Sequence, residues 1–210
     1  MYGLKPVPRV RIPFSPLYHK LVGFTGNKER GLRLLREAAD ANGESSVDAK
    51  ITLALFLRRE QRYQEALKVV QSLTAAYPKN FLFALEEANL LKDMGNNQGA
   101  LDSFEKLLAD GHAGRFYEPR LEFAYYGLGE MFRGRKQYTE AADAFDSALK
   151  LPRLDADIRQ RCALGAGEMH DLLNDRAGAL KEYQLALAGD TTTPTAQLAR
   201  RYLHEPYRSQ

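Results

Sequence analysis

Four histidines, a single cysteine and several acid pairs are the residues whose chemistry could make this chain an enzyme or a metal protein. His19, His112, His170 and His204 lie far apart, and none stands at a ligand spacing such as H-x-x-x-H or C-x-x-C. Cys162 and His170, eight residues apart, could share one helix face. The repeat described below turns Cys162 inward, where a thiol packs as a small hydrophobe. "GAGEMHD" contains a Gly-x-Gly, but it falls inside a helical segment with no strand before it, which argues against a dinucleotide cradle. Glu86–Glu87 and the acids around Asp155–Asp157 belong to solvated helix surfaces and turns. No nucleophile, base and orienting group can be assembled from these residues. The expectation is therefore a non-enzyme with no catalytic residue, no metal site and no cofactor.

Composition sets the outer bounds. The chain has 210 residues and 44% hydrophobic content, enough for a sizeable core in one or two domains. Its net charge is +3, with both signs mixed along the chain, which is no nucleic-acid signature. Residues 1–46 hold 8 Lys and Arg against 4 Asp and Glu, too dilute for a polybasic arm. A lone cysteine cannot close an internal disulfide, so no oxidising compartment is implied. No apolar run approaches the ~20 residues of a membrane span. The start, "MYGLKPVPRVRIPFSP", lacks the apolar middle of a signal peptide and reads as an extended, Pro-punctuated segment, leaving the compartment unassigned.

The elements that position these residues emerge from self-comparison. Slid by 34 residues, Ala66 falls on Ala100, a further 41 brings Ala141, and 38 more brings Ala179. Each small residue is followed four positions later by a bulky one (Val70, Phe104, Phe145, Tyr183). Three positions beyond that comes another small or apolar residue (Leu73, Leu107, Ala148, Ala186). Steps of four and three keep these positions on one helix face. Each such helix is preceded by another, in "DAKITLALFLRRE", "FLFALEEANLLKDMG", "EFAYYGLGEMFRGR" and "RCALGAGEMHDLLN".

This pattern resembles the tetratricopeptide repeat, a helix–turn–helix unit of 34 residues. Leu128, Gly129, Phe132, Ala141, Phe145, Ala148 and Pro152 sit at or within one residue of that family's signature positions, as do Ala100, Phe104 and Leu107, and Ala66 with Pro78. The aromatic expected early in the first helix is retained only as Tyr125, with Lys50, Ala84 and Ala163 elsewhere. The mid-helix small residue is Ala54, Ala88, Gly129 and Gly167. The resemblance implies an all-α, right-handed superhelix (an α-solenoid) of about four to five repeats with a C-terminal capping helix. The repeats run 47–80, 81–114, 122–155 and 160–193. They follow an extended arm at 1–16 and a degenerate half-repeat or cap at 17–46, in which Gly31 replaces the signature alanine. The capping helix and tail occupy 194–210, opened by Thr193 as N-cap and Pro194 at the first helical position. The fragment "GFTGNKERGLRLLREA" resembles a segment of the inclusion-body-clearance family of tetratricopeptide proteins. Two loops, 110–120 and 153–158, stretch beyond the standard turn.

In the repeat register, positions 2, 5, 9 and 12 of each first helix face the concave groove. They read Asp48, Ile51, Leu55, Arg58; Leu82, Leu85, Asn89, Lys92; Phe123, Tyr126, Glu130, Arg133; and Arg161, Leu164, Glu168, Asp171. The expected partner-binding set is Leu55, Arg58, Leu85, Asn89, Lys92, Phe123, Tyr126 and Arg133. Apolar anchors beside a recurring cation suit an extended or helical peptide with an acidic group. The cations have a second reading, since Lys and Arg near a helix C-terminus also meet its macrodipole. The Lys–Asn carboxylate clamp of the family's chaperone-binding members is replaced by Ile51 and Leu55, which disfavours an acidic chaperone tail as ligand. The expected function is a non-catalytic protein-interaction scaffold binding a peptide or protein partner, with no nucleic acid. The competing reading is a structural or self-association module, a homo-oligomer or the docking domain of a longer protein.

Overall fold

The computed structural model describes residues 28–41 and 45–209. Every regular element among them is a helix: α1 (Lys28–Asp40), α2 (Ser46–Arg59), α3 (Tyr63–Ala76), α4 (Phe81–Asp93), α5 (Asn97–His112), α6 (Leu121–Gly134), α7 (Tyr138–Leu149), α8 (Ala156–Leu172), α9 (Arg176–Leu187) and α10 (Pro194–His204). The arm at 1–16 and the short helix suggested within "SPLYHKLVGFTG" lie outside the described residues. None of these helices is long and apolar enough to cross a membrane.

Each helix packs against the next, giving the hairpins α2/α3, α4/α5, α6/α7 and α8/α9, with α1 on α2 and α10 on α9. In addition α4 touches α6, α6 touches α8 and α8 touches α10. First helices therefore line the inner side of a helical-repeat solenoid, and second helices form its outer layer. The starts follow from capping side chains. Asn80, Asn96, Asp155, Asp175 and Thr193 each accept hydrogen bonds from backbone N–H groups of the first turn they precede. Every hairpin turn places one residue in the left-handed region: Gln61 (φ 60°), Gly95 (75°), Lys136 (60°) and Asn174 (62°). Each lies five residues before the alanine of the second helix, so one turn geometry is reused four times.

The core repeats the sequence pattern. Ala66, Ala100, Ala141 and Ala179 are fully buried, as are Val70, Phe104, Phe145 and Tyr183 one turn later. The rings demand space that only glycine leaves. A Cβ on Gly129 would lie 2.6 Å from the Phe145 ring, and one on Gly165, in the next repeat, 2.8 Å from its other edge. Gly127 is held equally close to Phe104, and Gly167 to Tyr183, both at 2.5 Å. In the first hairpin the second helix offers only Val70, and the matching first-helix residue is Ala54. Gly31, assigned the place of the signature alanine, is instead exposed. Among the described residues a Cβ there would meet nothing within 4 Å, while Leu32 and Ala39 are the buried residues of α1.

The first long loop is shorter than expected, and the second keeps its length but falls three residues earlier, at 150–155. Helix α5 continues through His112 because the buried Asp110 is useful inside it: its carboxylate takes hydrogen bonds from Lys106, one turn back, and from Arg115 beyond the helix end. Helix α8 starts early, at Ala156, because the Asp155 side chain caps Asp157 and Ile158. The remaining insertion, 113–120, is fastened down. Phe116 meets Phe81 edge-on at 5.3 Å, and the Tyr117 N–H donates to the Lys79 carbonyl at 3.4 Å. Buried Gln160 latches the far end, donating to the carbonyls of Ala186 and Asp190 at 2.8 Å and accepting from the Thr193 hydroxyl at 2.6 Å.

Gly129→Ala should overpack the Phe145 site at ~1–3 kcal/mol, partly offset by roughly 1 kcal/mol of helix propensity. The net expectation is a lower melting temperature. Gly134→Ala, whose Cβ meets open space, should raise it slightly. Thermal denaturation followed by circular dichroism checks both, and equal shifts for the two variants would contradict the packing described.

Candidate functional site: the face of the first helices

The expected groove residues lie on helices α2, α4, α6 and α8, and the structure divides their side chains into three groups. Leu55 and Leu82 are 56% and 54% exposed, large apolar side chains open to solvent. Phe123 and Tyr126 are half-buried, Phe123 packed against the core clusters on both sides and Tyr126 against the one that holds Phe145. The Arg120 guanidinium lies over the Phe123 ring at 4.9 Å, and the Tyr126 ring lies 6.0 Å from that of Phe145. Leu85 requires a correction. It is only 8% exposed and sits in the core cluster with Phe81, Phe104 and Leu128, so it is not an apolar group left over once the core is assigned. The half-turn spacing that points it toward the groove also points it at the next repeat, which closes over it.

The cations are corrected in the same way. Arg58 reaches from α2 to α4, donating through Nε to Asp93 at 2.7 Å and through Nη1 to both oxygens of Glu86 at 2.9 and 3.0 Å. Arg133 reaches from α6 to Glu168 of α8 at 2.8 Å while holding Glu130 of its own helix at 2.8 Å. Both arginines thus tie successive first helices together, and their charge is already matched by acids. Lys92 differs. It is half-buried, its charge acts on Glu86, and it makes no ion pair among the described residues. Asn89 lies beside it, half-buried. Of the acids that complete this ladder, Glu130 and Glu168 stand at the groove positions read from the sequence, whereas Glu86 and Asp93 each lie one position beyond them. The pairing was missed because the cations were weighed only against the helix ends that carry them.

The ladder ends at Asp171, whose side chain is 1% exposed. Its carboxylate accepts from Arg176 at 3.0 and 3.1 Å, from the Tyr183 hydroxyl at 2.8 Å, and from the backbone N–H of Tyr207 at 2.7 Å. Burial pushes the neighbouring Glu168 carboxyl up to about 7, with Glu130 adding to the effect and Arg133 opposing it. Burial likewise raises the Cys162 thiol to about 12, which leaves it a packed, unreactive group. His112 hydrogen-bonds the Tyr125 hydroxyl at 2.9 Å and His170 contacts Asp175 at 3.1 Å. His204 is exposed, and His19 lies outside the described residues. Among the described residues no three His, Cys, Asp or Glu side chains gather as a metal site.

Comparison with known proteins places this geometry. A model of the Iml2/Tetratricopeptide repeat protein 39 family matches residues 19–153. No curated protein matches the chain. Among solved structures, a tetratricopeptide repeat protein from Parabacteroides merdae superposes with a TM-score of 0.62 at 18% identity, covering 89% of this chain and 69% of that one. MamA (41-end) from Desulfovibrio magneticus RS-1 gives 0.57 at 20% identity, covering 85% and 96%. At such identities the likeness is one of fold.

Two predictions follow from the electrostatics. Glu168 has a folded-state value raised from 4.5 to about 7, so the folded state binds its proton more tightly than the unfolded chain does. That contribution is fully present below about pH 4.5 and is lost as pH rises to about 7, at a cost of up to about 3 kcal/mol. Glu168→Gln should remove this slope, so that the variant gains stability relative to the parent by ~1–3 kcal/mol between pH 5 and pH 8 in urea titrations. A constant difference across that range would show that Glu168 titrates normally. Cys162 should resist iodoacetamide in the native protein and react on denaturation, as mass spectrometry would show, whereas rapid native labelling would contradict its burial.

Proposed function

The chain belongs to the Iml2/Tetratricopeptide repeat protein 39 family, and from that premise we propose that it is a non-catalytic scaffold that binds a peptide or protein partner along its first helices. The observation that carries this reading is the exposure of Leu55 and Leu82 on a face whose other apolar residues are engaged. Exposed large apolar groups on the inner side of a solenoid are more often interface than accident. Phe123 and Tyr126, half-buried beyond them, extend the apolar surface toward the third hairpin. Asn89 and Lys92 offer a hydrogen-bonding amide and an ammonium that makes no ion pair among the described residues. Leu85 contributes as support beneath this surface. Arg58 and Arg133 contribute by holding the spacing of the helices, which sets the length a ligand must span. A carboxylate on the partner is then expected at Lys92 alone, and salt should weaken binding by no more than a single exposed ion pair does.

The test is Leu55→Asp combined with Leu82→Asp, in protein shown by circular dichroism to keep the parent's helicity. Both side chains are more than half exposed, so folding should be retained. A partner captured by the parent should bind this variant at least about tenfold more weakly, the loss of two buried leucine anchors being worth ~1.5–3 kcal/mol each. Undiminished binding would place the interface elsewhere on the molecule.

A further inference from the structure

Helix α10 ends at Glu205, whose backbone is extended (φ −121°, ψ 121°) because Pro206 follows it. Arg176 holds that helix end by donating to the carbonyls of Tyr202 and Leu203 at 2.7 and 2.9 Å. From there the chain does not leave the molecule. The Tyr207 N–H donates to Asp171 at 2.7 Å, and the Tyr207 ring meets Tyr202 edge-on at 5.3 Å. Tyr207 and Ser209 then border a cavity of about 450 Å³ whose other walls include Glu130, Arg133, Tyr138 and Leu172. An extended segment of the chain itself thus lies where α6 and α8 finish, against the same acids and arginine that form the ladder.

We propose that this end of the first-helix face is a binding site for an extended, proline–tyrosine segment of a partner protein, and that residues 205–209 occupy it in cis. The inference rests on the reading of the first helices as a binding surface, and it names a second ligand class for that surface. The chemistry of the site specifies the ligand. Asp171 is buried and accepts a backbone N–H, which any extended non-proline residue supplies, whereas an α-helix interior has no free N–H to give. Tyr202 gives an aromatic wall for one ring. Glu130, Glu168 and Asp171 are balanced here by Arg133, Arg176 and Lys136, so backbone and ring contacts rather than net charge select the ligand. The unfilled cavity beside Tyr207 leaves room for a bulkier side chain than serine two positions later. Because the resident segment is tethered, a partner competes against an effective concentration of order millimolar, and the site opens only to a tighter ligand or after the tail is displaced.

The experiment uses a fluorescent peptide of residues 203–210 (LHEPYRSQ) as probe, with the full chain, a chain ending at His204, and full-length Tyr207→Pro, which removes both the N–H that Asp171 accepts and the ring against Tyr202, as a second route to an open site. The peptide should bind both altered chains at least roughly tenfold more tightly than the full chain, the tethered copy being the competitor. N-methylation of the peptide's tyrosine nitrogen, which deletes the donor to Asp171 without touching the protein, should cost about tenfold or more, as loss of a charge-assisted hydrogen bond does. Binding that is absent from both altered chains, equal for all three proteins, or indifferent to N-methylation overturns the proposal. The probe should also bind an otherwise open chain carrying Leu55→Asp and Leu82→Asp unchanged, so that failure of the apolar surface and failure of this site read out separately.

Discussion

One steric constraint organises the molecule: a bulky side chain near the middle of each second helix must fit between two first helices. Phe145 shows it most fully, with Gly129 against one edge of its ring and Gly165 of the following hairpin against another. The ring fills the triangle where three helices meet, so hairpin and junction share a single packing element. Phe104 and Tyr183 repeat the arrangement against Gly127 and Gly167, and Tyr183 extends it by donating its hydroxyl to Asp171. The fully buried alanine one turn earlier lets the helices close to that distance. A core of this kind grows by neighbours only, which is why four local clusters replace a single central core.

Those features were legible in the sequence because they are local and repeated. Spacing alone located the alanines, the bulky residues after them and the inward-facing Cys162, since a helix of fixed period turns any such list into a face. Thr193 and Pro194 were equally legible, because an N-cap and a first-turn proline act within a few residues of where they stand. The inner face was legible only in part. A register position says that Leu85 points inward, but whether the neighbouring hairpin covers it depends on how closely two repeats stack. The pairing of Arg58 with Asp93, 35 residues away, depends on the same stacking and on side-chain reach, and that Arg133 meets Glu168 at the same separation becomes visible only once the hairpins are stacked. The loops misled for a different reason. Glycines and polar residues after position 110 signal a turn, yet Asp110 gained enough from its two cations to stay helical.

The ion pairs along the inner face also carry a cost that explains their partners. Glu168 is almost covered, and removing a carboxylate from water is repaid only where geometry and hydrogen bonding are good. A single contact to Arg133 does not fully repay it, hence the raised titration of that carboxyl. Asp171 is more deeply buried still, but three donors make four hydrogen bonds to it. The contrast marks the two acids as different kinds of component: Asp171 is a hydrogen-bond acceptor that ties several elements together, and Glu168 is a carboxyl that changes charge near neutrality.

The ties between neighbouring first helices do not all sit at the same height, and this has a mechanical consequence. Arg58 to Asp93, and Arg133 to Glu168, join α2 to α4 and α6 to α8 near where those helices finish. Between them, at the α4–α6 junction, Lys92 makes no such tie, and the fastening is the 113–120 insertion, clasping Lys79 and Phe81 where α4 begins. A joint clamped at one end swings most freely at the other. The α4–α6 joint, fastened where α4 begins, is therefore the one left freer at its far edge, whereas the α6–α8 joint is held at both, Arg120 also reaching Asp155 at 4.0 Å where those helices start.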